Sequence, residues 1–208
     1  MKLNEAQESA VTFVSGPCLV LAGAGSGKTR VITNKIAHLV RNCDMPARYI
    51  AAVTFTNKAA REMKERVAQT LGKPEARGLK VSTFHTLGLT IIKAHVKDLG
   101  LKPGFSLFDD KDSLSLLTDL TRETLDGDKD QLSLLQSCIS NWKNDLILPD
   151  ALLKQAQSTG EREFAEAYKR YQDNLKAYNA LDFDDLILLP TLLLKTSETV
   201  RAKWQNKI

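Results

Sequence analysis

A glycine-rich loop near the start of the chain places the strongest constraint on its fold. Residues 22–29, AGAGSGKT, lie between an apolar run at 18–22 and a segment whose apolar residues recur at helical spacing up to Val40. A short buried strand, a glycine loop and a helix in this order are typical of the phosphate-binding loop of α/β nucleotide-binding proteins. The pattern therefore predicts a parallel sheet with a phosphate site where its first strand ends.

The residue types in this loop suit a bound phosphate. Glycines let backbone N–H groups converge without a Cβ in the way, and the following helix adds its positive end. Lys28 can reach the β- and γ-phosphates, and the Thr29 hydroxyl is suited to bind Mg²⁺, so we predict both as catalytic residues and Thr29 as the magnesium ligand. The nucleotide-binding residues predicted in the loop are Ala22, Gly23, Ala24, Gly25, Ser26, Gly27, Lys28 and Thr29.

Two further strand–helix repeats follow the loop. The segments YIAAVTF (49–55) and LKVSTF (79–84) have the composition of buried strands, and each precedes a helical pattern. This alternation predicts a parallel sheet with crossover helices to about residue 88. From there to about residue 190 we expect only helices. An aromatic stripe in this part is predicted to be core: Phe164, Tyr168, Tyr171, Leu175 and Tyr178.

Charge is unevenly distributed along the chain. Residues 1–108 hold 16 Lys and Arg against 7 Asp and Glu, whereas residues 109–208 hold 13 against 18. This asymmetry suggests that the first half meets a polyanion, although a solvated charged face is the alternative. The apolar stretches are too short to span a membrane, and the first residues contain no apolar signal segment. The three cysteines lack metal-like spacing and fit reduced thiols. We therefore predict a cytoplasmic protein that does not associate with a membrane.

Five motifs in order resemble the N-terminal part of superfamily 1 DNA helicases of the UvrD/Rep/PcrA group, and most of all its Rep branch. The motifs are LNEAQESAV (3–11), AGAGSGKTR (22–30), AAVTFTNKAAREMKER (51–66), STFHTLG (82–88) and LDFDDLI (181–187). The resemblance implies a RecA-like ATP-binding core at 1–88, a helical insertion at 89–190 and a return to the core at 191–208.

The same resemblance implies an ATP- and Mg²⁺-dependent 3′→5′ helicase of DNA replication or repair. Its substrates would be single-stranded DNA and duplex junctions, with replisome or repair proteins as possible partners. Gln7 corresponds to the glutamine that recognises adenine, and Arg30 to an arginine against the base. The single-stranded DNA contacts implied are Thr54, Phe55, Thr56, Asn57, Lys58, Thr83, Phe84 and His85.

The residues themselves support a DNA site at these positions. Segments 55–58 and 83–85 come directly after predicted strands, and ligands gather at the carboxyl ends of parallel strands. Aromatic faces beside polar groups suit single-stranded nucleic acid. The alternatives are that Phe55 and Phe84 belong to the core and that His85 is a packed residue at a helix start.

Hydrolysis also requires an acidic magnesium site, for which the sequence offers only LDFDDLILLP (181–190). Its acids precede the apolar run, and Pro190 argues against an interior strand. We therefore predict that Asp182, Asp184 and Asp185 cap or position a helix rather than bind metal. In the resembled family the acidic strand follows a segment like WQNKI, where this chain stops, so we expect a fragment with almost no ATP hydrolysis.

Two other function classes remain open at this point. A small-molecule kinase of the phosphate-loop type needs an arginine-rich lid, and no arginine cluster follows residue 80. The second class is a non-catalytic DNA-binding module that uses nucleotide only for structure. Within the resembled group, the UvrD or PcrA type shares every motif quoted. Acceptor-dependent turnover would identify the kinase.

Overall fold

The computed structural model describes residues 3–125 and 128–208, which divide into two compact units. The first contains the residues up to Phe84 together with 202–208, and the second contains 85–201. The predicted fold class is confirmed as mixed α/β, mostly helical, with small parallel sheets.

The first unit contains a pair of parallel strands covered by helices. Its elements are α1 (Glu5–Thr12), α2 (Lys28–Arg41), a 3₁₀ turn (Ala47–Tyr49), β1 (Ala51–Thr54), α3 (Asn57–Leu71) and β2 (Lys80–Thr83). The register runs from Ala51 opposite Lys80 to Thr54 opposite Thr83, so both strands end at the same edge. The core lies between strands and helices and contains Ile36, Ala37, Ile50, Ala52, Met63, Val67 and Leu71.

The predicted strand at 18–22 does not form. Leu19 and Leu21 are 84% and 86% exposed, and among the described residues β1 and β2 pair only with each other. An apolar run indicates a preference for burial, but a strand also needs a neighbour to satisfy its backbone groups. The described residues therefore do not contain a full RecA-like sheet.

The second unit is built mainly from helices. Its elements are α4 (Phe84–Ala94), β3 (Ser106–Leu107), α5 (Asp110–Leu120), α6 (Arg122–Leu125), α7 (Lys129–Asn144), α8 (Pro149–Gln155), α9 (Thr159–Ala177), β4 (Ala180–Leu181), α10 (Asp185–Thr196) and α11 (Glu198–Gln205), of which α4 begins in the first unit and α11 ends there.

The expectation that this part holds only helices is wrong in one detail, the short parallel pair β3–β4. Asn179 explains the pairing. It adopts φ +50° after α9, and its side chain accepts from Lys102 N at 2.9 Å and donates to Lys102 O at 3.1 Å. This amide draws the two segments together, so that Ser106 N donates to Asn179 O at 3.0 Å.

The aromatic stripe of α9 is confirmed as core for most of its length. Tyr168, Tyr171 and Leu175 are buried, and Trp142 of α7 stacks on Tyr168 with ring centroids 5.8 Å apart. Tyr178 is the exception, because it lies exposed at the end of the helix. None of the helices in the described part of the chain has both the length and the hydropathy to cross a membrane.

Helices α4 and α10 approach each other at Gly88. A Cβ built on Gly88 would lie 1.8 Å from the carbonyl oxygen of Leu186, so this position admits only glycine. The acidic segment that we predicted to cap or position a helix leads into α10, and Pro190 lies inside that helix.

Candidate functional site

The glycine loop turns directly into α2. Gly27 caps the helix at φ +85°, and Gly25 adopts φ +74°, both in the left-handed region that glycine alone visits without strain. The first amides of a helix have no partner within the helix, and they carry its positive end. The loop thus meets the end of α2 that favours an anion.

Lys28 folds back over this loop. Its ammonium donates to the carbonyl oxygens of Ala22 at 3.1 Å and Gly23 at 2.7 Å, and the side chain is exposed. Ser26 closes the loop from within, because its hydroxyl donates to Gly23 O at 2.8 Å. The lysine charge therefore lies among the loop residues without being buried.

Gln7 ties α1 to the loop. Its side-chain Oε1 accepts from Asn4 N at 3.1 Å as part of a helix-capping pair, and its Nε2 donates to Ser26 O at 3.0 Å. The structure thus places the glutamine against the glycine loop. Its contact with adenine stays a prediction.

The other predicted nucleotide residues lie in the loop or in the first turn of α2. Ala24 is exposed in the loop, whereas Thr29 and Arg30 are half-buried in the helix. In the described part of the chain, no three His, Cys, Asp or Glu side chains converge closely enough to hold a metal ion. The role of Thr29 toward Mg²⁺ remains a prediction.

Helices α2 and α3 run side by side in the same direction. Arg41, at the end of α2, donates to the carbonyls of Thr70 and Leu71 at the end of α3, at 3.1 and 3.2 Å. Earlier turns of the two helices share the core of this unit. The amino ends of α2 and α3, which follow the glycine loop and β1, therefore lie toward the same side.

Two predicted DNA residues form an exposed aromatic pair at the strand ends. Phe55 follows β1 and is 93% exposed, Phe84 follows β2 and is 49% exposed, and their ring centroids are 6.5 Å apart. The rings are tilted by 58°. Neither ring is buried, so the alternative that both belong to the core is wrong.

The polar residues beside Phe55 organise the start of α3. Thr54 Oγ1 donates to Thr56 O at 3.0 Å, and Thr56 Oγ1 accepts from Ala59 N at 3.1 Å as the helix cap. Asn57 and Lys58 are exposed in the first turn. Thr83, in contrast, is buried at the end of β2.

His85 belongs to the second unit and lies against an aromatic ring that the sequence analysis did not single out. Its ring is edge-on to Phe183, with centroids 6.1 Å apart and planes at 74°. Phe183 is 47% exposed. The sequence feature that could have identified Phe183 is an aromatic residue among acidic residues, directly before a helix.

The acids around Phe183 bind a lysine that sequence reasoning also missed. Lys143 is buried in α7 and forms ion pairs with Asp182 at 2.6 Å and Asp185 at 2.9 Å. Helical periodicity could have identified it, because Lys143 continues the buried face of α7 formed by Leu132, Leu135 and Ile139.

This buried cluster shifts the pKa values of its acidic groups. Burial raises the pKa of Asp185 to about 6, and the Lys143 ammonium opposes that shift. Burial, reinforced by the Asp182 charge, raises the pKa of Tyr171 above its ordinary range. Burial also raises the pKa of Asp184, against a hydrogen bond from Ser140.

Comparison with known proteins identifies the family. The sequence model described as the UvrD/REP helicase N-terminal domain matches residues 3–208. The ATP-dependent DNA helicase Rep of Escherichia coli is 65% identical over 208 residues, which is all of this chain and 31% of that protein. Rep of Salmonella typhimurium is 64% identical over the same share. The ATP-dependent DNA helicase PcrA of Leuconostoc citreum is 40% identical over 99% of this chain and 28% of that protein.

The similarity to the Rep branch that the motifs predict is confirmed. The chain spans about 31% of the length of the Rep proteins named above. It belongs to the UvrD/REP helicase N-terminal domain family.

Proposed function

We propose that this chain is the ATP- and single-stranded-DNA-binding portion of an ATP-dependent 3′→5′ DNA helicase of replication or repair. The observation that carries the proposal is the exposed pair Phe55 and Phe84 at the shared end of β1 and β2, in the same unit as the glycine loop. The relatives described above, the ATP-dependent DNA helicases Rep and PcrA, support it.

The glycine loop is assigned to the phosphates of ATP. Backbone amides of the loop and the positive end of α2 attract the phosphate oxygens, and Lys28 exchanges its two carbonyl partners for them. Thr29 would hold Mg²⁺, which neutralises phosphate charge when bound. Gln7 and Arg30 are assigned to the base.

The exposed rings are assigned to the DNA bases. Phe55 and Phe84 offer two faces at one edge, and Asn57 and Lys58 lie close by for the DNA backbone. Base–aromatic stacking contributes roughly 1–3 kcal/mol per base and does not depend on sequence, as a translocating protein requires. His85 and Phe183 offer further stacking faces in the second unit.

The proposal extends to the whole protein. Residues 1–88 would form the first part of the ATP-binding core, 89–190 the helical insertion and 191–208 the return. Duplex junctions would be the substrate, and replication or repair proteins the partners. Hydrolysis needs a carboxylate for Mg²⁺ and cations for the transition state. We assign neither role to a residue of this chain, so we propose nucleotide and DNA binding alone for it.

The test is equilibrium binding of a fluorescent single-stranded oligonucleotide. The double variant Phe55→Ala/Phe84→Ala should weaken binding by about fivefold or more, the lower limit for one stacked base. Phe13→Ala removes a similarly exposed ring from the same unit and should leave the affinity unchanged. Equal affinities for wild type and the double variant would overturn the assignment.

A second measurement separates a motor from a module that uses nucleotide only for structure. In the whole protein, Lys28→Ala should abolish ATP-driven unwinding while single-stranded DNA binding persists. If unwinding continued at the wild-type rate, the assignment of the loop to ATP would be wrong.

A further inference from the structure

A lysine without solvent contact holds the segment that carries Phe183. Lys143 extends from α7 to two carboxylates, with its Nζ 2.6 Å from Asp182 Oδ2 and 2.9 Å from Asp185 Oδ1. Charged groups in such surroundings are found only when paired, because loss of hydration costs several kcal/mol per ion. The three charges therefore form one unit of structure.

The two carboxylates also close the turn between them. Asp182 Oδ1 accepts from Asp185 N at 2.9 Å, and Asp185 Oδ2 accepts from Asp182 N at 3.2 Å. Each carboxylate thus uses one oxygen for the backbone of the turn and the other for Lys143. Tyr171 donates to Asp182 Oδ2 at 3.0 Å, and its hydroxyl oxygen accepts from Ser113 Oγ at 2.9 Å. The turn is held from α7 and α9 through polar contacts.

Phe183 itself lies at the edge of a polar cavity and not in the core. Asp182, Phe183 and Asp184 line a cavity of about 420 Å³ whose other walls are largely polar, including Ser113 and Ser140. Phe183 points out of the core, with about half of its surface exposed. The direction of its ring therefore depends on the backbone of the turn, which the polar contacts and the buried Leu181 and Leu186 hold in place.

We propose that Lys143 is a positioning residue for the aromatic pair His85–Phe183. The ammonium holds Asp182 and Asp185 in the geometry that presents the ring of Phe183 edge-on to His85. The consequence for DNA binding rests on the proposed function, whereas the positioning itself does not.

Removal of the ammonium leaves two carboxylates in one buried site. Like charges at this separation repel, and one carboxylate must take up a proton or move toward solvent. Movement toward solvent breaks the hydrogen bonds that close the turn, and the substitution itself removes the two contacts to Lys143. Phe183 lies between the two acids, so its ring moves with them.

The test is the nuclear magnetic resonance spectrum of the imidazole C–H groups in this chain. The chain has three histidines, and His85→Gln assigns the signal of interest. Phe183→Leu removes the neighbouring ring current and defines the full change of that signal. Lys143→Met should reproduce most of this change, while the indole signal of Trp142, packed on Tyr168, stays at its wild-type position.

The matched control is Lys129→Met, the same replacement at an exposed position of α7. It should leave the His85 signal unchanged. The proposal is overturned if Lys143→Met retains the Trp142 signal and leaves the His85 signal at its wild-type position.

A second variant keeps the test decisive if Lys143→Met does not fold. In Lys143→Met/Asp185→Asn a neutral amide replaces one carboxylate and can both accept from Asp182 N and donate to Asp182. This double variant should fold and return the His85 signal toward wild type. Failure of the double variant to fold, or a signal equal to that of Phe183→Leu, would contradict the proposal.

Oligonucleotide binding separates this inference from the proposed function. Lys143→Met should weaken single-stranded DNA binding by about fivefold, the loss of one stacked base. Affinity for a fluorescent ATP analogue should be unchanged. If the His85 signal moves and DNA affinity does not, the positioning stands and the assignment of His85 and Phe183 to DNA is wrong.

Discussion

Lys28 and Lys143 each donate two hydrogen bonds to oxygen atoms, but from different surroundings. Lys28 is exposed and binds the neutral carbonyls of Ala22 and Gly23, which belong to its own loop. Lys143 is buried and binds the charged carboxylates of Asp182 and Asp185, far along the chain. The first is the predicted nucleotide ligand, and the second is the proposed positioning residue.

The difference shows what each lysine can do. An exposed ammonium exchanges protein oxygens for ligand oxygens at little cost, because water hydrates it during the exchange. A buried ammonium has no such substitute, and its departure leaves uncompensated charge. Loss of Lys28 should therefore affect binding and leave folding intact, whereas loss of Lys143 should affect folding first.

The largest effect is expected for Lys143→Met. Removing one partner of a buried ion pair should lower the free energy of unfolding by about 3–5 kcal/mol. Urea denaturation followed by circular dichroism measures this change. Lys129→Met should stay within about 0.5 kcal/mol of wild type. Similar values for the two variants would mean that the buried cluster contributes little to stability.

The pH dependence of stability should identify Asp185 as the member of the cluster whose charged form is destabilised by burial. Its pKa of about 6 in the folded chain exceeds the ordinary value of 3.8, so the folded state binds this proton more tightly than the unfolded state does. The stability that this tighter proton binding contributes is present below about pH 4 and is lost as the pH rises through 6.

Between pH 4 and 7 the free energy of unfolding of wild type should fall relative to Asp185→Asn, by up to about 3 kcal/mol. Lys143 and Asp182 are the charged groups that act on this carboxyl, and burial together with its charge raises the pKa of Tyr168 and Tyr171 of α9. Urea denaturation across this range measures the difference. Parallel curves for the two proteins would exclude a raised pKa at Asp185.

Lys28→Ala should affect ligand binding instead of folding. The charge-assisted contacts it makes to phosphate contribute about 1.5–3 kcal/mol, which corresponds to a loss of about 10–100-fold in affinity for ATP with Mg²⁺. Isothermal titration calorimetry measures the affinity. The free energy of unfolding should change by less than about 0.5 kcal/mol. A large loss of stability would show that both lysines are structural.

Phe55→Ala should give the smallest of these effects. The ring is almost fully exposed, so its loss removes little packing, and single-stranded DNA affinity should fall by about 1 kcal/mol. Fluorescence anisotropy with a labelled oligonucleotide measures it. A change in thermal stability larger than the change in DNA affinity would indicate a packing role for Phe55.

Local patterns predict much of this structure. Alternation of apolar runs and helical spacing predicts β1, β2 and the helices after them, because each pattern reports burial on one element. The glycine loop is predicted from its residue spacing, and the structure adds that Gly25 and Gly27 adopt left-handed backbone. The five family motifs also predict the order in which these elements follow one another along the chain.

Partners distant in sequence account for what was missed. The run at 18–22 has the composition of a strand, yet no local pattern specifies the neighbour that a strand needs. Lys143 and its two acids are far apart in the sequence, so their pairing depends on how α7 packs near the start of α10. Phe183 was overlooked because a single aromatic ring among acids is consistent with either core or surface.

The long sequence separation of Lys143 from Asp182 has a kinetic consequence. The ion pair closes a loop of 39 positions, and the entropy of that closure must be lost before the pair forms. The pair should therefore form after the folding transition state, when α7 and the turn have met. Removal of Lys143 should then act chiefly by accelerating unfolding, with the refolding rate close to wild type. Stopped-flow measurement of both rates tests this order of events.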